Sequence, residues 1–178
     1  MSEKRVLKIA TPRLTLVAAT PELTWADLDD RTAFEEMLGA AVSLEWPPSI
    51  FEDKDRIYFA KRLENNPESV GWWHWYFILG ENSPRLIGNG GFGGFPDDEG
   101  SVMVGYSLLP QFYRRGYASE AVAALIDWAF ADVRVRRIVA DVFPDLAPSI
   151  GLLRKCGFVQ NGGGDEAGTI RFERRRAG

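Results

Sequence analysis

Residues 106–122 read YSLLPQFYRRGYASEAV, and this stretch limits what the chain can fold into more than any other. The alternating run SVMVGYSLL before it has the pattern of a strand and stops at Pro110. Beyond a short loop, Ala118, Ala121, Val122, Leu125, Trp128 and Ala129 recur at three- and four-residue spacing. That period predicts a helix from Tyr117 to about Ala131 with one buried face. The first turn of such a helix holds backbone N–H groups that lack partners within the helix. Gly116 and Ala118 carry little bulk, so a ligand can approach those amides, and Arg114, Arg115 and the helix dipole favour an anion. An arginine-decorated loop that merely covers a core helix has the same residues, and the junction alone leaves both readings open.

A second glycine-rich stretch, GNGGFGGFPDDEG, contains Gly88, Gly90 and Gly93 at the G-x-G-x-x-G spacing of a dinucleotide-binding turn. That turn works only where it joins a strand to a helix. Here Pro96-Asp97-Asp98-Glu99-Gly100 follows, and then another strand pattern, so a nicotinamide or flavin site is rejected. Glycines in a strand mark a bulge or a close approach. They either clear room on one face of the sheet beside the strand that ends at Pro110, or belong to a twisted strand with no ligand role.

The rest of the chain alternates helix and strand. RLTLVA, WWHWYFIL, RLIGNGGFGGF, SVMVGYSLL, RRIVADV and GTIRFERR read as strands, the third and fourth joined as a hairpin by PDDEG. A helical stretch opens at Pro21 and breaks near Asp29-Asp30. DKDRIYFAKRLENN is an amphipathic helix ended at Pro67, and PSIGLLRKC is a short helix stopped by a left-handed cap at Gly157. With no internal repeat and no linker, residues 1–178 are expected to form one α+β domain with a mixed sheet.

Charge and rare residues narrow the chemistry. One cysteine, Cys156, excludes an internal disulfide, and a single histidine, His74, argues against a histidine metal site or a Ser-His-Asp triad, so no metal is expected. The N-terminus lacks a signal-like apolar core and no run approaches the ~20 residues of a membrane span, which predicts an intracellular, cytoplasmic protein with no membrane partner. Residues 14–108 carry 16 acidic against 6 basic side chains, whereas residues 109–178 carry 8 against 11. Such asymmetry suits one cationic and one anionic ligand. Despite RFERRR near the C-terminus, a pI of about 5.1 and the lack of a basic stripe argue against nucleic acid.

The central junction resembles motif A, Q/R-x-x-G-x-G/A, of the GNAT superfamily of acyl-CoA-dependent N-acetyltransferases. Within that superfamily the chain is most similar to the RimJ/RimL-like branch of ribosomal-protein alanine acetyltransferases. TPRLTL near the start, GYSLLPQFYRRGYASEA at the centre and PSIGLLRKCGF (residues 148–158) carry the resemblance. It implies a single GNAT-type domain, with a mostly antiparallel twisted sheet of about seven strands and about four helices. It also implies acetyl-CoA as co-substrate and an amine as acceptor, either a protein N-terminus or a small cationic amine. The amides of Arg115, Gly116, Tyr117, Ala118 and Ser119 would hold the CoA pyrophosphate, with charge from Arg114 and Arg115. The strand edge at Ser107, Leu108 and Leu109 would pair with the pantetheine. Lys155 would reach the cofactor phosphates, or else complement the end of its helix.

The sequence departs from that family at four places. Tyr113 stands in the Q/R slot. Leu146, Leu153 and Met103 replace an Asn that binds pantetheine, a Tyr used as general acid and a Glu used as base. For catalysis this leaves Ser149, as a hydrogen-bond donor to the departing sulfur or as a plain helix N-cap. Glu45 is a candidate carboxylate for the amine or a solvated loop acid. His74, expected to share a strand face with Trp72, Tyr76 and Ile78, is a second candidate or a packed strand histidine. Missing the usual acid and base also leaves room for a non-catalytic acyl-CoA-binding module on the same fold. The aromatic segment GWWHWYF would suit a homodimer contact.

Overall fold

The structure, a computed structural model, describes residues 6–178; residues 1–5, which add to the basic charge of the N-terminus, lie outside it. Eight strands form one sheet: β1 (Lys8–Ala10), β2 (Leu14–Ala18), β3 (His74–Leu79), β4 (Arg85–Phe92), β5 (Ser101–Leu108), β6 (Arg137–Val142), β7 (Val159–Gly163) and β8 (Ile170–Arg175). Their order across the sheet is β1-β2-β3-β4-β5-β6-β8-β7. All neighbours run antiparallel except β5 and β6. Five helices accompany them: α1 (Pro21–Asp29), α2 (Arg31–Leu38), α3 (Asp53–Asn65), α4 (Tyr117–Ala131) and α5 (Ala147–Lys155).

The helices cover both faces of the sheet. Trp75 and Phe77 of β3 and Val102, Val104 and Leu108 of β5 pack with Ala121, Val122, Leu125 and Ile126 of α4 and Leu153 of α5. On the opposite face Tyr76 and Ile78 pack with Leu23, Phe34, Leu38 and Leu63 from α1, α2 and α3. Burial on both faces is why β3, HWYFIL, reads as a nearly continuous apolar run. The turn between α1 and α2 falls at Asp30, whose side chain accepts from the Ala33 N–H and so caps the second helix. A buried knot ties these helices to the sheet. The Asp27 carboxylate accepts from Trp46 Nε1 at 2.7 Å, Arg56 Nη1 at 2.9 Å and the Tyr76 hydroxyl at 3.1 Å.

The expected architecture is present, with two strands more than the apolar patterns mark. β1 is three residues long, and β7, VQNGG, is exposed along its whole length at the sheet edge, so neither has an apolar period to read. β3 begins only at His74, and Trp72 packs on Trp128 of α4 at 4.8 Å between rings. Trp72 therefore does not share the face of His74, Tyr76 and Ile78.

Candidate active site

Two features of the α4 side bear on an anionic ligand. Gly116 caps α4 in the left-handed conformation, φ 77°, with no side chain bonding to the first turn. Arg114 has φ 59°, so the loop bends twice through the left-handed region before the helix starts. The first amide engaged within the helix is that of Glu120, which donates to the Gly116 carbonyl at 3.1 Å. The amides of Tyr117, Ala118 and Ser119 therefore head the helix without a cap, next to the exposed Arg114 and Arg115.

A link that the sequence reading missed holds this mouth in shape. Thr11 Oγ1 and the Arg13 N–H donate to Glu120 Oε1 at 2.6 and 2.8 Å, and Arg13 Nε donates to Oε2 at 2.7 Å. Burial pushes the Glu120 carboxyl up, but these hydrogen bonds outweigh it and leave the group below its usual range. Arg13 also donates from Nη1 to the Arg115 carbonyl at 2.9 Å and lies 4.5 Å from the centre of the Tyr117 ring. TPRL at one end of the chain and the glutamate of YASEA thus form one device.

The second feature is a gap in the sheet. β5 and β6 pair only at Ser101–Arg137, Val102–Ile138 and Met103–Val139. Beyond that point β6 continues along β8 as far as Val142, and β5 continues along β4 as far as Leu108. Residues 104–108 of β5 therefore have no strand partner on the β6 side. The Leu109 N–H donates to the Ile87 carbonyl on β4, and the Ser107 and Gly105 carbonyls also point to β4. Backbone groups alternate sides along a strand, so the open edge belongs to Val104, Tyr106 and Leu108. Of the expected pairing residues Ser107, Leu108 and Leu109, only Leu108 faces the gap. Ser107 instead turns its hydroxyl to the Asn89 side-chain oxygen.

Helix α5 borders the gap. The Tyr106 hydroxyl lies 3.5 Å from the Ser149 carbonyl, and burial pushes this phenol up to about 12. Ser149 is half-buried in the first turn of α5 but does not cap it; Leu146 holds that position, which corrects the N-cap reading. Cys156 Sγ is 3.8 Å from the Ser119 carbonyl, so the far end of α5, with exposed Lys155, rests beside the first turn of α4. Leu153, in the slot of the family's tyrosine, is buried in the core.

The other face of the β5 region opens into a cavity of about 390 Å³. Phe51, Phe59, Trp73, His74, Asn89, Gly105 and Met103 line it, with Asp55 and Asp141 as its acids. Asp141 is committed: Arg171 holds it from Nε and Nη2 at 2.8 Å each, and keeps its carboxyl below the usual range. His74 is 2% exposed, with Phe51 and Phe59 near-parallel to its ring at 4.6 and 5.4 Å and Tyr76 edge-on at 4.5 Å. Burial, and then the nearby Arg56 charge, lower its pKa from 6.5 to about 3, and among the described residues its Nε2 has no hydrogen-bond partner. Moving a proton from an α-ammonium to such a ring is uphill by roughly 7 kcal/mol, so His74 can offer a hydrogen bond but not serve as a base. Glu45 is not in this cavity. It is exposed and accepts from Gln111 Nε2 at 2.7 Å, which sets it apart from His74.

The glycine run divides by role. A side chain at Gly88 or Gly90 would run into Leu108 or Phe77, and Gly91, at φ 149°, presses on the Trp73 carbonyl. These are close approaches within the sheet. Gly105 differs, because a Cβ there would meet nothing within 4 Å, and the open space is the cavity.

Residues 13–159 match the family described as acetyltransferase (GNAT) domain, and the chain belongs to that family. It is 34% identical over 141 residues to the uncharacterized N-acetyltransferase YjdG of Bacillus subtilis, covering 79% of this chain and 82% of that protein. A Vibrio cholerae protein described as a putative ribosomal-protein-serine acetyltransferase shares the fold with a TM-score of 0.65 at 20% identity, over 96% of this chain and 98% of the other. RimL, a ribosomal L7/L12 α-N-protein acetyltransferase solved in complex with coenzyme A, does so with a TM-score of 0.64 at 18% identity, over 95% and 98%. Among the described residues there is no cluster of metal-binding side chains, and no helix is long and apolar enough to cross a membrane.

Proposed function

We propose that this chain, acting as one domain over residues 1–178 in the cytoplasm, is an acetyl-CoA-dependent N-acetyltransferase that acetylates a primary amine by direct attack. The acceptor is a protein N-terminus or a small cationic amine. The observation that carries the reading is the gap along residues 104–108, leading to the uncapped first turn of α4. An extended chain of amides fits the outward groups of Val104, Tyr106 and Leu108, and a diphosphate fits the amides of residues 115–119 with Arg114, Arg115 and Lys155 around it. Neighbours named as ribosomal-protein acetyltransferases support a protein N-terminus as acceptor.

The amine enters from the cavity face and its nitrogen attacks the thioester carbonyl carbon. The C–S bond breaks, the thiolate leaves, and the proton lost by nitrogen passes to solvent. An α-amine, with a pKa near ~7.7–8.0, is partly neutral at cellular pH and asks little of a base, unlike a lysine near ~10.4. A thiol leaving group near ~8.5 needs modest help, which Ser149 or the protonated Tyr106 can provide as a hydrogen-bond donor. Holding amine and thioester at attack distance supplies roughly 7–11 kcal/mol of the barrier. His74 serves as a neutral hydrogen-bond partner in the acceptor cavity.

Met103 and Leu153, where the family has its base and acid, favour a second reading as an acyl-CoA-binding sensor. Calorimetry with coenzyme A and thiol release with acetyl-CoA and a broad amine panel separate the two. Binding with turnover supports the enzyme, binding without turnover the sensor, and no binding refutes both.

A further inference from the structure

The acceptor cavity joins aromatic side chains to the bare glycines of β4 and β5 and to a few polar groups, Asn89 and Ser107 among them. Phe51, Phe59 and Trp73 form its side away from β5, and Ile50, 73% exposed, stands at its rim. Met103, in the slot where the family has a glutamate, adds a thioether to the β5 side. Asp55 and Asp141 are its charged groups, and among the described residues no lysine or arginine lines it. Asp141 is already held by Arg171, and one Asp55 oxygen accepts the Glu52 N–H at 2.9 Å. A ligand that fills this space therefore meets the rings of Phe51, Phe59 and Trp73, the Asn89–Ser107 pair and the free oxygen of Asp55.

A further observation points to a ligand rather than to loose packing. The backbone at Gly105 is not left-handed and a Cβ there would touch nothing, so neither strain nor packing calls for glycine; its absent side chain leaves the room open. His74 lines the same cavity, 2% exposed among three aromatic rings, and its Nε2, unpaired among the described residues, is closed off from it.

Building on the acetyltransferase reading, we propose that the acceptor is a primary amine borne next to a bulky apolar or aromatic group. A small alanine or serine N-terminus would leave the aromatic walls uncovered. A polyamine's second ammonium has ring faces and Asp55 to meet, so spermidine is the stringent comparison for the apolar reading. Hydrophobic pockets discriminate by about 10–200-fold for one methylene, so selection on this scale is readable in rates.

The test uses the purified full chain. Coenzyme A affinity is measured by calorimetry. Thiol release is then followed with acetyl-CoA and phenethylamine, a peptide beginning with Phe, a peptide beginning with Ala, and spermidine. The expected result is a kcat/KM for phenethylamine or the Phe peptide at least about tenfold above both the Ala peptide and spermidine. Which of the first two leads identifies a small amine or a protein terminus as the source. Gly105→Leu, which fills the room, is expected to abolish the preference. Ile50→Asp, at an exposed site that folding does not depend on, is expected to reduce it. The proposal is overturned if the Ala peptide or spermidine is served as well, if both variants keep the preference, or if coenzyme A binds and neither apolar amine turns over. Absence of coenzyme A binding instead brings down the acetyltransferase reading beneath it.

Discussion

Glu120→Gln is expected to loosen the mouth of α4. The carboxylate takes three hydrogen bonds, from Thr11 Oγ1, the Arg13 N–H and Arg13 Nε. Glutamine can accept at one oxygen only, and its NH₂ then faces the Arg13 guanidinium as donor against donor. A hydrogen bond to a charged group contributes about 1.5–3 kcal/mol. The Arg13 side chain is 45% exposed, so solvent screens its share and the net loss is about 1–2 kcal/mol. In a chain of this size that lowers Tm by roughly 2–8 °C. The pH dependence follows from the depressed carboxyl: the folded state binds the Glu120 proton more weakly than the unfolded state, whose value is near 4.5. Its stabilisation is therefore complete above that value and lost as pH falls through the lower, folded one. Urea unfolding followed by tryptophan fluorescence should show the full gap between wild type and variant near pH ~7, closing below about pH 4. Because Arg13 also grips the Arg115 carbonyl, coenzyme A affinity should fall by up to about 5–30-fold if the whole loss is felt there. A variant as stable as wild type at neutral pH, or a gap that stays constant into acid, would refute the reasoning.

Three more outcomes follow from the same contacts. Gly116→Ala forces a Cβ into the left-handed region and to 3.2 Å from Arg13 Nη2, for a loss of about 1–2 kcal/mol in thermal unfolding; Gly116→Asn should lose less, and equal values for both would count against the cap geometry. Arg56→Met leaves the Asp27 carboxylate, fully buried, without its counter-charge and should cost about 3–5 kcal/mol in urea, so a loss under about 1 kcal/mol would contradict the buried pair. His74, lowered from 6.5 to about 3, binds its proton in the unfolded chain before the folded one, so stability falls as pH drops through that window. His74→Phe should remove about 2 kcal/mol of the acid-side loss by pH ~5, and an unchanged acid slope would show that the imidazole is not buried as described.

The two sides of the site differ in how far a single sequence exposes them, and the reason is physical. An anion site at a helix N-terminus is made of backbone, so it demands small residues and a turn at fixed offsets; Gly116 and Ala118 before a 3.6-period helix state that demand openly. The Thr11–Arg13–Glu120 link that shapes it spans 107 residues from Arg13 to Glu120 and leaves no local trace. The gap itself is equally silent. β5 parts from β6 because a parallel pairing stops after Met103, while both strands keep their apolar alternation. The family resemblance implies outward amides at Ser107, Leu108 and Leu109, of which only Leu108 faces the gap. Strand periodicity tells which side chains share a face, but which backbone groups face a gap depends on knowing the neighbour, and here β4 takes the amide of Leu109. The cavity comes from the loop before α3, α3 itself, the start of β3, the later halves of β4 and β5, and Asp141 of β6. No spacing rule joins those segments, so the sequence marks Glu45, which lies outside the cavity, and marks neither Asp55 nor Gly105, which line it. A site built from peptide groups constrains its sequence, whereas one built from converging side chains can change its lining without disturbing the strands beneath. Substitutions at Phe59, Met103 or Gly105 should therefore move acceptor preference while leaving coenzyme A affinity nearly as it was, and substitutions at Arg13 or Gly116 should do the reverse.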